Sequence, residues 1–180
     1  NSYSSPSVAE NNPTTILVKV SHVAARLDFS QFDVTLKGFE GNPTVVFDEA
    51  KFVNLQQNGK IVEGDASVNV KDGAFLNRSN RIGTKWTDMG TAYGYANQYK
   101  QDSEMNTALY VKFTVDGRTF EKTYPINPAG ITKEVDHNGI KGGYLYDIKV
   151  RWTITPDWGD STIEFYTRDW VHNSIPEVVL

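Results

Sequence analysis

Apolar and polar residues alternate most regularly in the segment YLYDIKVRWTI, residues 144–154. A repeat of two residues is the signature of a β-strand with one buried face. The first face carries Tyr144, Tyr146, Ile148, Val150, Trp152 and Ile154. The second face carries Leu145, Asp147, Lys149, Arg151 and Thr153. The pattern therefore predicts a half-buried antiparallel strand whose first face points to the core.

The segment LYVKFTVDGRTFEKTYPI predicts a β-hairpin with Asp116 and Gly117 at its turn. An Asp-Gly pair favours a two-residue turn, because both residues accept a positive φ more readily than most. That turn sets the register of the two strands. The predicted facing pairs are Val115 with Arg118, Phe113 with Phe120, Val111 with Lys122, and Leu109 with Tyr124.

The segment ILVKVSHVAARLDF, residues 16–29, is apolar on both faces in its first half. One face carries Leu17, Val23, Ala25, Leu27 and Phe29, and the other carries Ile16, Val18 and Val20. Such a strand either lies between two layers or changes phase at a bulge near Ser21 and His22.

Further strands are predicted in FDVTLKGFEG, PTVVFDEAKFVNLQQNGKIVEG and STIEFYTRDW. Asn58-Gly59 is a second turn signal, which predicts a hairpin of AKFVNLQQ with KIVEG. Residues 64–107 are polar and less periodic, so we expect long decorated loops there.

No helical period occurs between these segments. The fold class is therefore all-β: residues 16–180 predict a single antiparallel β-sandwich of about seven to nine strands with Greek-key-like connections and long loops. Residues 1–15, rich in Ser, Asn and Pro, predict a flexible linker or arm.

Composition agrees with one folded domain. The chain has 180 residues, 39% of them hydrophobic, and a formal net charge of −4. This length is enough for one sizeable core. Its 18 Lys and Arg residues form no cluster, which argues against a nucleic-acid partner. No apolar stretch is long enough for a transmembrane segment.

Chemical motifs are missing from the sequence. The chain has no cysteine, and His22, His137 and His172 share no metal-ligand spacing. Catalytic and nucleotide-binding motifs do not occur, so we expect no enzyme activity, no catalytic residue, no cofactor and no metal. The segments DWGDST and NVKDGAF offer oxygen ligands near a glycine, but turn chemistry explains them better than calcium does.

Exposed aromatic residues are the remaining candidates for binding. Trp86, Tyr93, Tyr95 and Tyr99 fall in the predicted loop region, and Trp158 follows the predicted strand at 144–154. Such rings could stack on a sugar or on a partner's side chain. We favour the other interpretation, in which these rings hold a loop against the sandwich.

Several segments, in their order along the chain, resemble a known family. These are VKVSHVAARLDF, EAKFVNLQQNGKI, TAYGYANQY, NTALYVKFTVDGRTFEKTYPI and GIKGGYLYDIKVRWTI. Together they resemble the Bacteroidia-type fimbrillins, the subunits of type V pili, and most of all the C-terminal domain of the shaft subunit of the minor (short, Mfa-type) fimbrium. The likeness spans residues 16–155. Since such subunits usually have two β-sandwich domains and a leader, the chain is interpreted as the C-terminal domain of a larger subunit.

The resemblance implies an extracellular polymer, a fimbrium on the bacterial outer membrane, that serves adhesion and biofilm formation. Its partners would be neighbouring fimbrial subunits, accessory tip or anchor subunits, and a host or bacterial surface receptor. In that family a C-terminal segment of one subunit fills a groove in the next. We therefore interpret residues 174–180 as a candidate donor strand. Its polymerising residues are Ile175, Val178, Val179 and Leu180.

Alternative interpretations follow from the same residues. The tail could be the last strand of its own sandwich. The chain could instead be a carbohydrate-binding surface module, with its platform formed by Trp86, Tyr93, Tyr95 or Trp158. The resemblance also raises the prospect of an O-glycan in a loop at Asp160-Ser161-Thr162.

Overall fold

A computed structural model describes residues 23–59, 69–73, 75–77, 81–97, 104–126, 139–157 and 160–169 of the chain. These residues form eleven strands. In chain order they are β1 (Ala24–Leu36), β2 (Val45–Val53), β3 (Leu55–Gln56), β4 (Val70–Lys71), β5 (Phe75–Asn77), β6 (Arg81–Ile82), β7 (Lys85–Tyr95), β8 (Ala108–Val115), β9 (Arg118–Pro125), β10 (Tyr144–Ile154) and β11 (Asp160–Asp169).

The strands form two sheets, which confirms the predicted all-β sandwich. The first sheet has the order β11-β10-β1-β7-β3-β4, and the second has the order β5-β2-β8-β9 with β6 beside β2. Seven of the strands have eight residues or more, and the other four have two or three. The described residues contain no helix that could cross a membrane.

One strand pair departs from the predicted antiparallel arrangement. β10 lies parallel to β1, with Leu27 beside Tyr146 and Val34 beside Trp152. β1 pairs on its other edge with β7, antiparallel. A parallel neighbour cannot be reached by a tight turn, so the chain passes through the second sheet before β10 returns to the first.

β1 confirms the predicted face of Ala25, Leu27 and Phe29, all of which are buried. The change of phase occurs at a bulge between Phe29 and Gln31, where the register of both neighbouring pairings shifts. After this bulge Phe32 and Val34 are the buried residues. One strand therefore includes residues that the sequence assigned to two, and the bulge proposed near Ser21 and His22 lies outside the described residues.

The predicted hairpin is confirmed residue by residue, since β8 and β9 pair in the expected register. Asp116 and Gly117 adopt φ values of 45° and 81°, as a two-residue turn of this kind requires. The turn is also held to Thr44, whose N–H donates to the Asp116 carboxylate at 2.7 Å and whose carbonyl accepts from the Asp116 N–H at 3.0 Å.

β10 confirms the alternation at residues 144–154. Tyr146, Ile148, Val150 and Ile154 are fully buried, and Trp152 is nearly so. Leu145 was expected to face outward but is also buried.

The core lies between the sheets and is rich in aromatic residues. Phe32 of β1 contacts Phe47 of β2 and Phe113 of β8, each with ring centroids 5.3 Å apart. Phe113 in turn packs edge-on against Trp152 of β10, at 4.9 Å. These T-shaped contacts join the two sheets across the core.

The prediction of long loops over residues 64–107 is wrong for a large part of that range. β7 occupies residues 85–95 as a strand of eleven residues at the side of β1. The alternation in β7 is interrupted at Asp88 and Gly90, which both have positive φ. Because of these interruptions, the sequence of β7 lacks the regular period that identifies a strand.

The Asn58-Gly59 hairpin is not tested in full, because residues 60–68 lie outside the described part of the chain. Within that part, β3 pairs with β4, so that Leu55 faces Lys71 and Gln56 faces Val70. The proposed linker at 1–15 also lies outside the described residues.

Candidate functional site

The predicted site residues divide into those that the structure describes and those that it does not. The tail with Ile175, Val178, Val179 and Leu180 lies outside the described residues. So do Trp158, Tyr99, His22, His137 and His172. Strand β11 begins with Asp160, Ser161 and Thr162. These residues pair with Thr153, Trp152 and Arg151 of β10, so the expectation of a loop at this position is wrong.

Trp86 is a core residue, so its assignment to an adhesive loop is wrong. Its side chain is buried, with 5% of its surface exposed. The indole stacks on Phe32 at 5.3 Å between ring centroids and also contacts Phe47 at 5.7 Å. A ring in this position is inaccessible to a ligand at the surface.

Tyr95, the last residue of β7, is half-buried. Gly59 lies directly against its ring: a Cβ atom added to Gly59 would come within 2.0 Å of the Tyr95 Cδ1 atom. The glycine therefore covers part of this ring, which makes Tyr95 a poor platform for a ligand.

Of the predicted aromatic residues that lie within the described ranges, Tyr93 is at the surface, with 57% of the residue exposed. It pairs across the sheet with Arg26 of β1. Arg26 donates from Nε to the Asp28 carboxylate at 2.9 Å, and Thr91 donates to the same carboxylate at 2.7 Å. Tyr93 therefore lies beside Arg26, which is joined to Asp28 and Thr91 by hydrogen bonds.

A cleft of about 490 Å³ opens beside Tyr93. Its polar lining includes Gln57, Lys71, Asp72 and Thr91, and Leu76 contributes an apolar wall. Residues 90–93 line the cleft consecutively. Since side chains of a strand alternate between its faces, four consecutive residues can share a cleft only along the strand's edge. The other edge of β7 is paired with β1.

Two glycines shape the walls of this cleft. Gly90 has a φ of 141°, and a Cβ atom on it would lie 3.0 Å from the Cβ of Leu76. A Cβ atom on Gly73 would lie 2.8 Å from Leu55 Cδ1 and 3.2 Å from the carbonyl oxygen of Phe52. Both positions are therefore too close to their neighbours for a side chain.

The charge at the cleft is set by an ion pair. Lys51 donates from Nζ to the Asp72 carboxylate at 2.7 Å. This hydrogen bond holds the pKa of Asp72 below its usual range, against the opposing effect of partial burial. Asp72 is therefore a carboxylate at neutral pH, with half of its side chain exposed.

A second polar cluster is buried and has a structural role. The Asn97 amide donates from Nδ2 to the carbonyl oxygens of Asn54 and Met105, at 3.1 and 3.0 Å, and to Thr107 Oγ1 at 3.0 Å. Its main chain exchanges two hydrogen bonds of 2.8 Å with Ile140. The cluster holds segments 104–107 and 139–140 to the turn at Asn54, whose φ is 55°.

No motif in the sequence predicts this cluster, because its residues are distant from one another along the chain and only the polar asparagines indicate it. No group of three or more His, Asp or Glu side chains within the described ranges could hold a metal ion.

No protein-family model matches this chain, and no curated protein does. Among solved structures, it is similar to a candidate cell adhesion protein from Parabacteroides distasonis ATCC 8503, at 20% sequence identity and a TM-score of 0.62. That match covers 83% of this chain and 52% of the other. The tip fimbrial protein Mfa3 from Porphyromonas gingivalis, truncated at its C-terminus, matches at 13% identity and a TM-score of 0.45, covering 83% and 52%.

A third similar structure is a candidate cell adhesion protein from Bacteroides eggerthii DSM 20697, at 15% identity and a TM-score of 0.46, covering 83% and 56%. The TM-score of 0.62 shows that this chain shares its fold with the protein from Parabacteroides distasonis. The chain spans about half the length of each of these proteins.

Proposed function

We propose that this chain is part of a structural subunit of an adhesive fimbria of the type V kind. The observation that carries the proposal is the fold shared with the candidate cell adhesion protein of Parabacteroides distasonis. The order of family-like segments along residues 16–155 supports it from the sequence side. The role is mechanical and adhesive, and none of the residues takes part in catalysis.

Polymerisation proceeds in this proposal by donor-strand exchange. The tail SIPEVVL, residues 174–180, adds to a sheet of the neighbouring subunit. Main-chain hydrogen bonds supply affinity, and alternate side chains fill pockets. Val178 and Leu180 face one way and Val179 the other, since side chains alternate along a strand. Pro176 precedes them and, having no N–H, marks where the arm leaves its own domain.

The energy for insertion comes from aliphatic burial. Burying Ile175, Val178, Val179 and Leu180 contributes roughly 1.5–3 kcal/mol for each side chain. Ordering the tail and joining two subunits oppose this gain by several kcal/mol. An association that is stable as a polymer therefore requires the main-chain hydrogen bonds as well.

Neighbouring copies of the subunit are the main partners in this proposal, together with accessory tip or anchor subunits and a surface receptor. The location is extracellular, on a fimbrium attached to the outer membrane. The chain described here then corresponds to the C-terminal domain of that subunit.

Electron microscopy of the intact, processed subunit with and without residues 174–180 tests the proposal. We expect filaments from the intact subunit and none from the shortened one. A Val178→Asp variant should also lose filaments, because a carboxylate would enter an apolar pocket. Glu177→Gln is the matched control, since it alters the tail without changing its apolar residues. Filaments that persist without the tail would contradict the donor-strand mechanism.

Limited proteolysis of the isolated chain separates the donor strand from the alternative of a last strand in the chain's own sandwich. A donor strand without its acceptor should be cut readily within 174–180, because unpaired termini are preferred sites of cleavage. Resistance at these residues would assign them to the domain itself.

A further inference from the structure

The cleft beside Tyr93 combines one exposed aromatic ring with several hydrogen-bonding side chains. Tyr93 presents a ring that is more than half exposed and that forms part of the cleft. The lining also includes Gln57, whose amide donates to the carbonyl oxygen of Leu55 at 3.0 Å. Asp72 and Thr91 line it as well and are bonded to Lys51 and Asp28. Binding sites for small molecules typically pair an apolar surface with a few polar groups that fix orientation.

The cleft is an open groove of about 490 Å³. A groove of this kind can hold one or two sugar rings against its wall but does not enclose a ligand. The cleft extends along an edge of β7 rather than over a flat face. A ligand there would meet main-chain groups as well as side chains.

The charged groups at the cleft nearly cancel. The lining contains one ammonium group, on Lys71, and one carboxylate, on Asp72. Lys51 lies outside the lining and is bonded to Asp72, so the three groups together carry one positive charge, which disfavours a cationic ligand. A ligand rich in hydroxyl groups needs no charge of its own, since it can donate to Asp72 and accept from Lys71.

The polar groups also argue against a lipid or another mainly apolar ligand. Insertion of such a ligand would remove water from Gln57, Lys71 and Asp72 without replacing their hydrogen bonds, which is unfavourable. A sugar ring has an apolar C–H face that can lie on a tyrosine and a rim of hydroxyl groups that can replace the lost water. This combination matches the lining.

We propose that this cleft binds a neutral saccharide, with the sugar ring stacked on Tyr93 and its hydroxyl groups bonded to Gln57, Lys71 and Asp72. Trp86 and Tyr95 take no part, because the first is buried in the core and the second is partly covered by Gly59. The inference makes no use of the tail, since the residues that line the cleft belong to β3, β4, β5 and β7 and to the segments beside them.

A glycan array probed with the full chain, followed by titration calorimetry on the glycans it binds, tests this inference. We expect binding to neutral oligosaccharides that Tyr93→Ala weakens by about three- to tenfold, the equivalent of roughly 0.6–1.4 kcal/mol for one aromatic contact. Tyr93→Phe keeps the ring and should retain most of the affinity. Asp72→Asn preserves the shape of the side chain but removes its charge, and it should weaken binding as well.

Ile82→Ala is the matched control, since Ile82 is 74% exposed on β6 and does not line the cleft. It should bind as the unaltered chain does. Thermal unfolding of each variant verifies that it is folded.

Three outcomes would overturn the inference: no neutral glycan bound on the array, binding restricted to acidic glycans, or binding that Tyr93→Ala leaves unchanged. The filament assay would not be affected by any of these, so a failure here is distinguishable from a failure of the proposed function.

Discussion

Trp86 of β7 lies against Phe32 of β1, with ring centroids 5.3 Å apart and ring planes inclined by 30°. The two residues are direct partners in the antiparallel pairing of their strands. Phe32 also contacts Phe47 and Phe113 on the opposite sheet. A tryptophan that looks like a surface aromatic in the sequence is thus part of the central packing between the sheets.

We predict that Trp86→Ala lowers the free energy of unfolding, because this side chain is part of the core. Truncation of a buried aromatic residue costs about 3–5 kcal/mol, because apolar burial is lost and a cavity remains. Urea unfolding followed by circular dichroism measures the change. Tyr93→Ala is the comparison, since Tyr93 is an exposed aromatic residue on the same strand, and it should cost far less. Equal costs for the two variants would contradict the buried position of Trp86.

A second prediction concerns the Asn97 amide. Asn97→Ala removes the donor to the carbonyl oxygens of Asn54 and Met105, and unmade buried hydrogen bonds cost about 1–3 kcal/mol. Asn97→Asp has nearly the same shape but should cost more, since a carboxylate would face those same oxygens. The free energy of unfolding at neutral pH measures both. Asn42→Ala, at an exposed asparagine, is the control and should be nearly neutral.

If Asn97→Asp were as stable as the unaltered chain, the amide could not be donating to these carbonyl groups.

The third prediction is a loss of stability at high pH that depends on Tyr146. This phenol is fully buried in β10, accepts a hydrogen bond from the Lys141 N–H at 2.8 Å, and has its pKa raised by burial. The folded state therefore favours the neutral phenol. Its contribution to stability is complete below the unfolded pKa near 10 and declines as the pH rises above that value.

Tyr146→Phe should consequently flatten the decline in unfolding free energy above pH 10, at a cost of about 1 kcal/mol near neutral pH for the lost hydrogen bond. Tyr110 is a useful comparison, because burial and the hydrogen bond to Glu121 raise its pKa to about 12. Tyr110→Phe should flatten the decline between pH 10 and about 12. Identical profiles for Tyr146→Phe and the unaltered chain would contradict the role assigned to this phenol.

Local patterns in the sequence predict several structural elements correctly. The hairpin at Asp116-Gly117 was predicted with its register, because a two-residue turn fixes which residues face each other. The inward residues of β10 were predicted from alternation alone, since one face of that strand meets the core. Turn geometry and period are properties of a few neighbouring residues, so they can be read without knowledge of the rest of the chain.

For the candidate site, the sequence identified Tyr93 as a surface aromatic but grouped it with Trp86 and Tyr95. Whether each ring is exposed depends on which distant segment of the chain packs against it. The polar partners at the cleft, Gln57 and Asp72, precede Tyr93 by 36 and 21 residues, and no motif connects them.

Local backbone preferences and the period of apolar residues are enough to predict that this chain forms strands, where its clearest hairpin turns, and which face of β10 enters the core. Long-range pairing sets three further features: β10 lies parallel to β1, β1 changes phase at Ser30, and β7 lies beside β1 with Trp86 in the core. Each of these depends on pairing between residues far apart in the chain, where packing against a distant neighbour outweighs local preference.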